Sequence, residues 1–361
     1  MRTLLVAAVI ATTPLPALNP QALQAAISDL DHPSATSAQL RVSGTAGAWY
    51  GTAGTADLTR PIRPDDRFRI GSVTKVFVAT TALQLAAERR IDLNQTVQHY
   101  LPGVLPPSLE PVTVEQLLTH TSGIPFEVGM PDLSTPAKVL EHRYDRWGPG
   151  ERARHIPDTK AKFTPGTQQE YRGINYVLAA MIIEQVTGHE YGREVERRIL
   201  RPLHLTRTYV PGRHETAIRG AHVHGYLDVP GQGLVDVSDI DTSRSYGEGD
   251  MVSTTEDLGR FTEALFGGRL VPQRLLDKMF TLPDVSMVDG RPAAYAVGLQ
   301  TFTLNGVTVW GKTGEQYGYN AGLFSTRDQQ RRIAYSFTPT ARDDAQQQMT
   351  LRIANAVTSA A

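Results

Sequence analysis

Ser72 and Lys75 stand three residues apart in Phe68-Arg69-Ile70-Gly71-Ser72-Val73-Thr74-Lys75, where an apolar helical run from Val76 to Ala87 begins. Residues at i and i+3 share a helix face, so the lysine amine can sit over the serine hydroxyl. A serine hydroxyl is a weak nucleophile, and an amine held beside it in a dry pocket can take its proton. Backbone N–H groups at a helix start add a place for developing negative charge. The plain alternative is an N-cap serine beside a solvated lysine. Two further groups carry similar chemistry. Trp310-Gly311-Lys312-Thr313-Gly314 lies on an expected strand and offers a cation, a hydroxyl and a bare edge for a peptide-like substrate. Tyr171 follows Pro165-Gly166 and precedes a helix, a loop position from which a phenol near a cation can relay protons. A surface lysine and a packing tyrosine are the plain readings of these two.

The elements that must position these groups are legible as patterns. Gln39 to Asp57 mixes short apolar alternation with four glycines and reads as a hairpin or meander. The helix after Ser72 is apolar nearly all round and is expected to be buried. Thr113-Val114-Glu115-Gln116 is a capping-box pattern, and Ser253-Thr254-Thr255-Glu256 is read as another, opening a helix to Phe266. Ile174 to Val186 reads as a helix stopped by Gly188. Met130 to Gly166 reads as loops with short helices. Ala294 to Leu304, Val307 to Gly311, Asn320 to Ser325 and Arg332 to Thr338 read as strands, with a hairpin at Asn305-Gly306 and a closing helix from Ala345 to Val357. Strands at both ends with helices between imply a discontinuous α/β sheet domain, 18–70 plus 290–361, interrupted by a mainly helical domain, 71–289.

The chain has 361 residues, a formal net charge of −1 and no cysteine. The balanced charge argues against nucleic acid or an anionic membrane as the main partner, and the absence of cysteine excludes disulfides, zinc–thiolate sites and a thiol nucleophile. Lysine is sparse, Lys75 and Lys312 being two of only six, so a lysine inside a motif carries more weight. Residues 1–17, one arginine followed by a short apolar run, small residues and prolines, resemble an export leader, which implies a secreted protein. A retained N-terminus would instead imply the cytoplasm. No run is long enough to span a membrane. The pair His222 and His224 is read as packing or surface histidines, with no acidic partner marked.

In this order, Ser-x-x-Lys, a tyrosine motif about a hundred residues on and Lys-Thr-Gly resemble the penicillin-recognising serine enzymes. Within that family the chain is similar to class C β-lactamases and D-alanyl-D-alanine carboxypeptidases, and among these to the secreted actinomycete carboxypeptidase. The similar stretches include Asp66 to Lys75, Leu117 to Gly123, Asn175 to Gly188 and Ser253 to Leu258. The resemblance implies an antiparallel sheet flanked by helices, with a helical insert and the active site between the two, and no cofactor or metal. It implies Ser72 as nucleophile, Lys75 and Tyr171 sharing proton transfer with the base left open, and Lys312 supporting the tyrosine. The oxyanion hole would be the N–H groups of Ser72 and Glu315, with Thr313, Gly314 and Gln300 lining the substrate site.

Three positions depart from the family pattern. Tyr171-Arg172-Gly173 lacks the asparagine usual two residues after the tyrosine, and Asn175 is not its simple replacement. Gln300 stands where the similar carboxypeptidase has a carboxylate-binding arginine. Glu315 replaces a threonine or serine and would repel a carboxylate if it faced the cleft. A penicillin-binding carboxypeptidase is the first reading: a serine hydrolase taking a peptidyl or small-molecule acyl donor, with water or an amine as acceptor. An esterase, amidase or transacylase on a small molecule is the alternative. A β-lactamase and a non-catalytic binding protein stand behind these, and the oligomeric state is not given by the sequence.

Overall fold

The computed structural model describes residues 14–213, 215–343 and 346–359. Most of the expected leader, and Ala345 at the start of the closing helix, lie outside them. Helix α1 is Pro20–Ser28, α2 Thr74–Ala87, α3 Val114–Leu118, α4 Pro149–Ala153, α5 Ile174–Thr187, α6 Thr255–Phe266 and α7 Gln346–Thr358. Strands β1 (Ala35–Ser43), β2 (Trp49–Gly54), β3 (Gln300–Leu304), β4 (Val307–Gln316), β5 (Tyr319–Ser325) and β6 (Arg332–Pro339) make an antiparallel sheet of order β2-β1-β6-β5-β4-β3. The chain thus lays down one sheet edge first and completes the other only after the helical stretch.

Alternation along the strands splits the core. Leu40, Val42, Phe324, Tyr335 and Phe337 face α1 and α7, where Leu23, Ile27, Met349 and Ile353 meet them. Tyr319, Ala321, Leu323 and Ala334 face the other way, toward a larger core built on α2 and α5. Helix α2 is buried from Thr74 to Leu83, as its uniformly apolar sequence requires. Its Phe77 stacks on Phe261 of α6 at 3.9 Å, which ties the helix bearing Lys75 to one that packs on β1 and β6. Each fully buried side chain of this size contributes about 1.5–3 kcal/mol.

The capping box at Thr113 and Gln116 is present. The second cap is displaced by one residue. Thr254, not Ser253, accepts the Asp257 N–H at 3.2 Å, because Ser253 is held in a short strand against Phe68 and bonds Thr208 through its hydroxyl. The strand expected from Ala294 begins only at Gln300, whereas the one expected to end at Gly311 continues to Gln316 through pairing with β5.

The end of β4 meets the turn that carries Ser72. Gly71 opens a single 3-10 turn, Gly71–Val73, at φ +47°, and a Cβ there would lie 2.5 Å from the Glu315 nitrogen. A Cβ on Gly314 would overlap Ile70 O and reach 3.0 Å from Ser72 N. Two glycines therefore let two backbones touch where the serine is presented. Gly71→Ala combines a left-handed backbone with this overlap and is expected to cost more than about 2 kcal/mol. A fall in melting temperature of several degrees, measured by circular dichroism, is the expected result; an unchanged melting curve contradicts the close packing.

Candidate active site

Ser72 sits on the 3-10 turn with α2 directly after it, so Lys75 projects back over it one turn later. Lys75 is fully buried, and its Nζ donates to Ser72 Oγ at 3.0 Å, to the backbone carbonyl of Glu248 at 2.7 Å and to Glu248 Oε2 at 3.0 Å. The Tyr171 hydroxyl, on the loop before α5, lies 2.8 Å from Ser72 Oγ. Lys312 of β4 is 4.7 Å from the centre of the Tyr171 ring and Lys75 is 5.1 Å from it. Lys312 also donates to Gln300 Oε1 at 3.1 Å and to its neighbour's carbonyl, Thr313 O, at 3.0 Å. Three segments far apart in sequence thus bring Ser72, Lys75, Tyr171 and Lys312 to one point.

Charge around the tyrosine favours its ionised form. Burial pushes its pKa up, but Lys312 and Lys75 outweigh burial and hold it below the usual phenol value. Burial pushes the Lys75 pKa down, and the anionic forms of Tyr171 and Glu248 outweigh burial and raise it. Lys312, which has no carboxylate within ion-pair reach among the described residues, is lowered by burial. His120 packs under Tyr171 with ring centres 4.5 Å apart, and burial, then Lys75 and Lys312, keeps it neutral well below its ordinary pKa. Its Nδ1 accepts from the Arg172 N–H at 3.2 Å and lies 3.3 Å from Asn175 Nδ2. Asn175 is buried and takes the Ser122 hydroxyl at 2.8 Å, so it braces the floor and does not line the cleft.

A cavity of about 850 Å³ opens beside Ser72, lined by Tyr171, Tyr295, Gln300, Lys312, Thr313, Gly314 and Glu315, with Leu133, Val139 and Leu227 as apolar wall. Gln300 lies across from Thr313, Nε2 to Oγ1 3.5 Å. Glu315 does face the cleft, sharing β4 alternation with Thr313, but Arg342 donates to its carboxylate at 2.6 Å. The repulsion expected from a bare glutamate is therefore offset within the protein.

Glu248 escaped the sequence reading. Its carboxylate links Lys75 to Arg152 of α4, Arg152 reaches Glu127 at 3.0 Å, and Glu127 pairs with Arg172. Burial opposes charge on Glu248, yet Arg152 and Lys75 hold its carboxyl far below the usual range. A signal was available: Tyr171-Arg172-Gly173 has no side chain where the asparagine is expected, which leaves room for a group from elsewhere in the chain. His222 and His224 stack at 4.5 Å, and His224 has the acidic partner that was not marked, Asp236 at 2.6 Å. Among the described residues no cluster of three or more histidine or acidic side chains is suited to a metal ion.

A serine bonded to an amine and a phenol, beside an open cleft on an antiparallel sheet flanked by helices, defines a serine hydrolase of the β-lactamase and transpeptidase type. The chain belongs to the beta-lactamase family, whose model matches residues 23–358. A D-stereospecific amidohydrolase from a Streptomyces species is 35% identical, covers 94% of this chain and 98% of its own, and superposes with a TM-score of 0.82. The D-amino acid amidase of Ochrobactrum anthropi SV3 is 25% identical, covers 93% and 97%, and gives 0.78. PbpX of Bacillus subtilis (strain 168) is 29% identical over 218 residues, 60% of this chain and 51% of PbpX, so the chain spans about half of that relative's length. Among the described residues no helix is long and apolar enough to cross a membrane.

Proposed function

We propose that this protein hydrolyses amides and esters of small amino acids, with a preference for the D configuration and for an uncharged carboxyl end, through an acyl group on Ser72. In this reading Ser72 Oγ attacks the carbonyl carbon while its proton passes to the Tyr171 phenolate, and the oxyanion is met by the N–H groups of Ser72 and Glu315. The tetrahedral adduct collapses with breakage of the C–N or C–O bond, and Tyr171 returns the proton to the leaving amine or alcohol. Water, giving a proton to Tyr171, then attacks the acyl carbon; the bond to Ser72 Oγ breaks, Tyr171 passes that proton to Oγ, and the acid leaves with Ser72 restored and Tyr171 again ionised. Three N–H bonds from Lys75 to three acceptors fit an ammonium, which leaves Tyr171 rather than Lys75 as the base.

The observation that carries the substrate reading is the state of the cleft's cations. Lys312 already donates to Gln300 and to Thr313 O, the charge of Arg342 is offset by Glu315, and Gln300 itself is neutral, so the cleft presents less net positive charge to a terminal carboxylate. The names of the amidohydrolase and the amidase agree with an amide substrate. A carboxypeptidase, the first reading of the sequence, needs the opposite. Initial rates on D-phenylalanine amide and methyl ester, their L forms and an N-acyl-D-alanyl-D-alanine test this. An amide or ester is expected to exceed the dipeptide about 10- to 100-fold in kcat/KM, the worth of one missing charged hydrogen bond. A faster dipeptide overturns the reading. Gln300→Arg is expected to narrow that ratio by raising the dipeptide rate, and a ratio left unchanged removes Gln300 as its cause.

A further inference from the structure

A Cβ added to Gly173 would fall on the Glu248 carboxylate, which would overlap it through Oε2. The backbone of Gly173 is ordinary helix, φ −63° and ψ −44°, so glycine is not there for its conformation but for the space. That space is the place of the amide expected in a tyrosine motif of this kind, and here a carboxylate from the 245–250 segment fills it. Glu248 contributes two of the three acceptors of Lys75, one from its backbone and one from its side chain. Its other oxygen is taken by Arg152. The side chain is only 16% exposed and is not among the residues lining the cleft.

We propose that Glu248 is a positioning residue for the reaction: from the space left by Gly173 it holds Lys75 as an ammonium, fixing it over Ser72 and leaving the proton-acceptor role to Tyr171. This rests on the acyl-Ser72 reading but not on which amide or ester is cleaved. Both carboxylate oxygens of Glu248 are engaged, Oε2 by Lys75 and Oε1 by Arg152, so it acts through Lys75 and not on substrate.

The groups facing this centre are Lys75 from α2, Tyr171 and Arg172 from the loop before α5, Lys312 from β4, Arg152 from α4 and Glu127 beyond it. His120, Tyr176 and Tyr295 pack around the lysine and tyrosine. Asp250, two residues along and bonded to Tyr191, is pushed up to about 7 by burial. The sign follows from two groups. Activity requires Tyr171 ionised, so it rises with pH through the tyrosine pKa; it requires Lys75 protonated, so it falls through the lysine pKa. The negative charge of Glu248 raises both, and Glu248→Gln therefore moves both limbs to lower pH.

The direct test is carbon-13 NMR titration of the lysine ε-carbons, Lys75 being assigned by loss of its signal in Lys75→Arg, together with the pH profile of p-nitrophenyl acetate hydrolysis. In Glu248→Gln the Lys75 midpoint is expected to fall by about 1–3 pH units, with both limbs shifted in the same direction. Gly173→Ala, which the backbone accepts, is expected to displace the carboxylate and shift the same quantities even with Glu248 present. An unmoved Lys75 titration in both variants overturns the proposal. So does a rise in KM confined to substrates with a free α-ammonium, with limbs unmoved, which would make Glu248 a substrate contact. A wild type inert toward amino-acid amides but with the lysine shift intact would instead sink the amide reading alone.

Discussion

Ser72→Ala is expected to lower kcat on the best amide or ester substrate by about five to six orders of magnitude, to the level left by binding and the oxyanion donors alone. The expectation follows from how much converges on one oxygen. Ser72 Oγ takes the Lys75 ammonium at 3.0 Å and faces the Tyr171 oxygen at 2.8 Å, and its backbone turn packs against the end of β4 through the Gly71 and Gly314 contacts. Thr313 also lines the cleft, but its hydroxyl faces Gln300, with neither Lys75 nor Tyr171 beside it. Intact-protein mass after incubation with a penicillin or a slow ester reads the same oxygen directly. The wild type is expected to carry one acyl adduct and Ser72→Ala none. An adduct that persists in the variant places the nucleophile elsewhere.

What could be read from the sequence was what local chemistry fixes. Ser-x-x-Lys at a helix start, Lys-Thr-Gly on a strand, the Asn305-Gly306 turn and the Thr113 box each depend on neighbours within four residues, and each is found where expected. The failures share the opposite character. Ala294 to Leu299 alternates like a strand, yet Gly298 takes φ +77° and lies against α2, a Cβ there coming within 2.5 Å of Ala79, so the apolar residues are buried without a ladder. The Glu315 side chain was legible as facing one of two ways, but Arg342 follows the last strand and could be placed beside it only by the sheet. Glu248, Arg152 and Glu127 come from three loops or short helices with no common period, and only folding shows them as one line of alternating charge ending on Lys75.

Tyr171→Phe is expected to reduce kcat by about 10³- to 10⁴-fold, near the upper end of what a positioned acid–base group supplies. The size follows from its double duty, since the same oxygen takes the Ser72 proton and returns it to the leaving group. Combining Tyr171→Phe with Lys75→Met is expected to cost little more than either change alone, because the two act as one unit on one proton. Full additivity would mean separate roles and would contradict a lysine acting as the tyrosine's counter-charge. The pH profile separates this from general damage. Lys312 is the strongest influence lowering the Tyr171 pKa, so Lys312→Gln raises it and moves the acid limb to higher pH. Glu248→Gln moves that limb the other way. Two neutral replacements around one phenol thus carry opposite predicted signs, but a centre in which Lys75 took the proton would give the same pair, through lost attraction to Glu248 and lost repulsion from Lys312. Tyr171→Phe tells the two apart: the acid limb is expected to vanish with the phenol, and a limb left in place makes Lys75 the base.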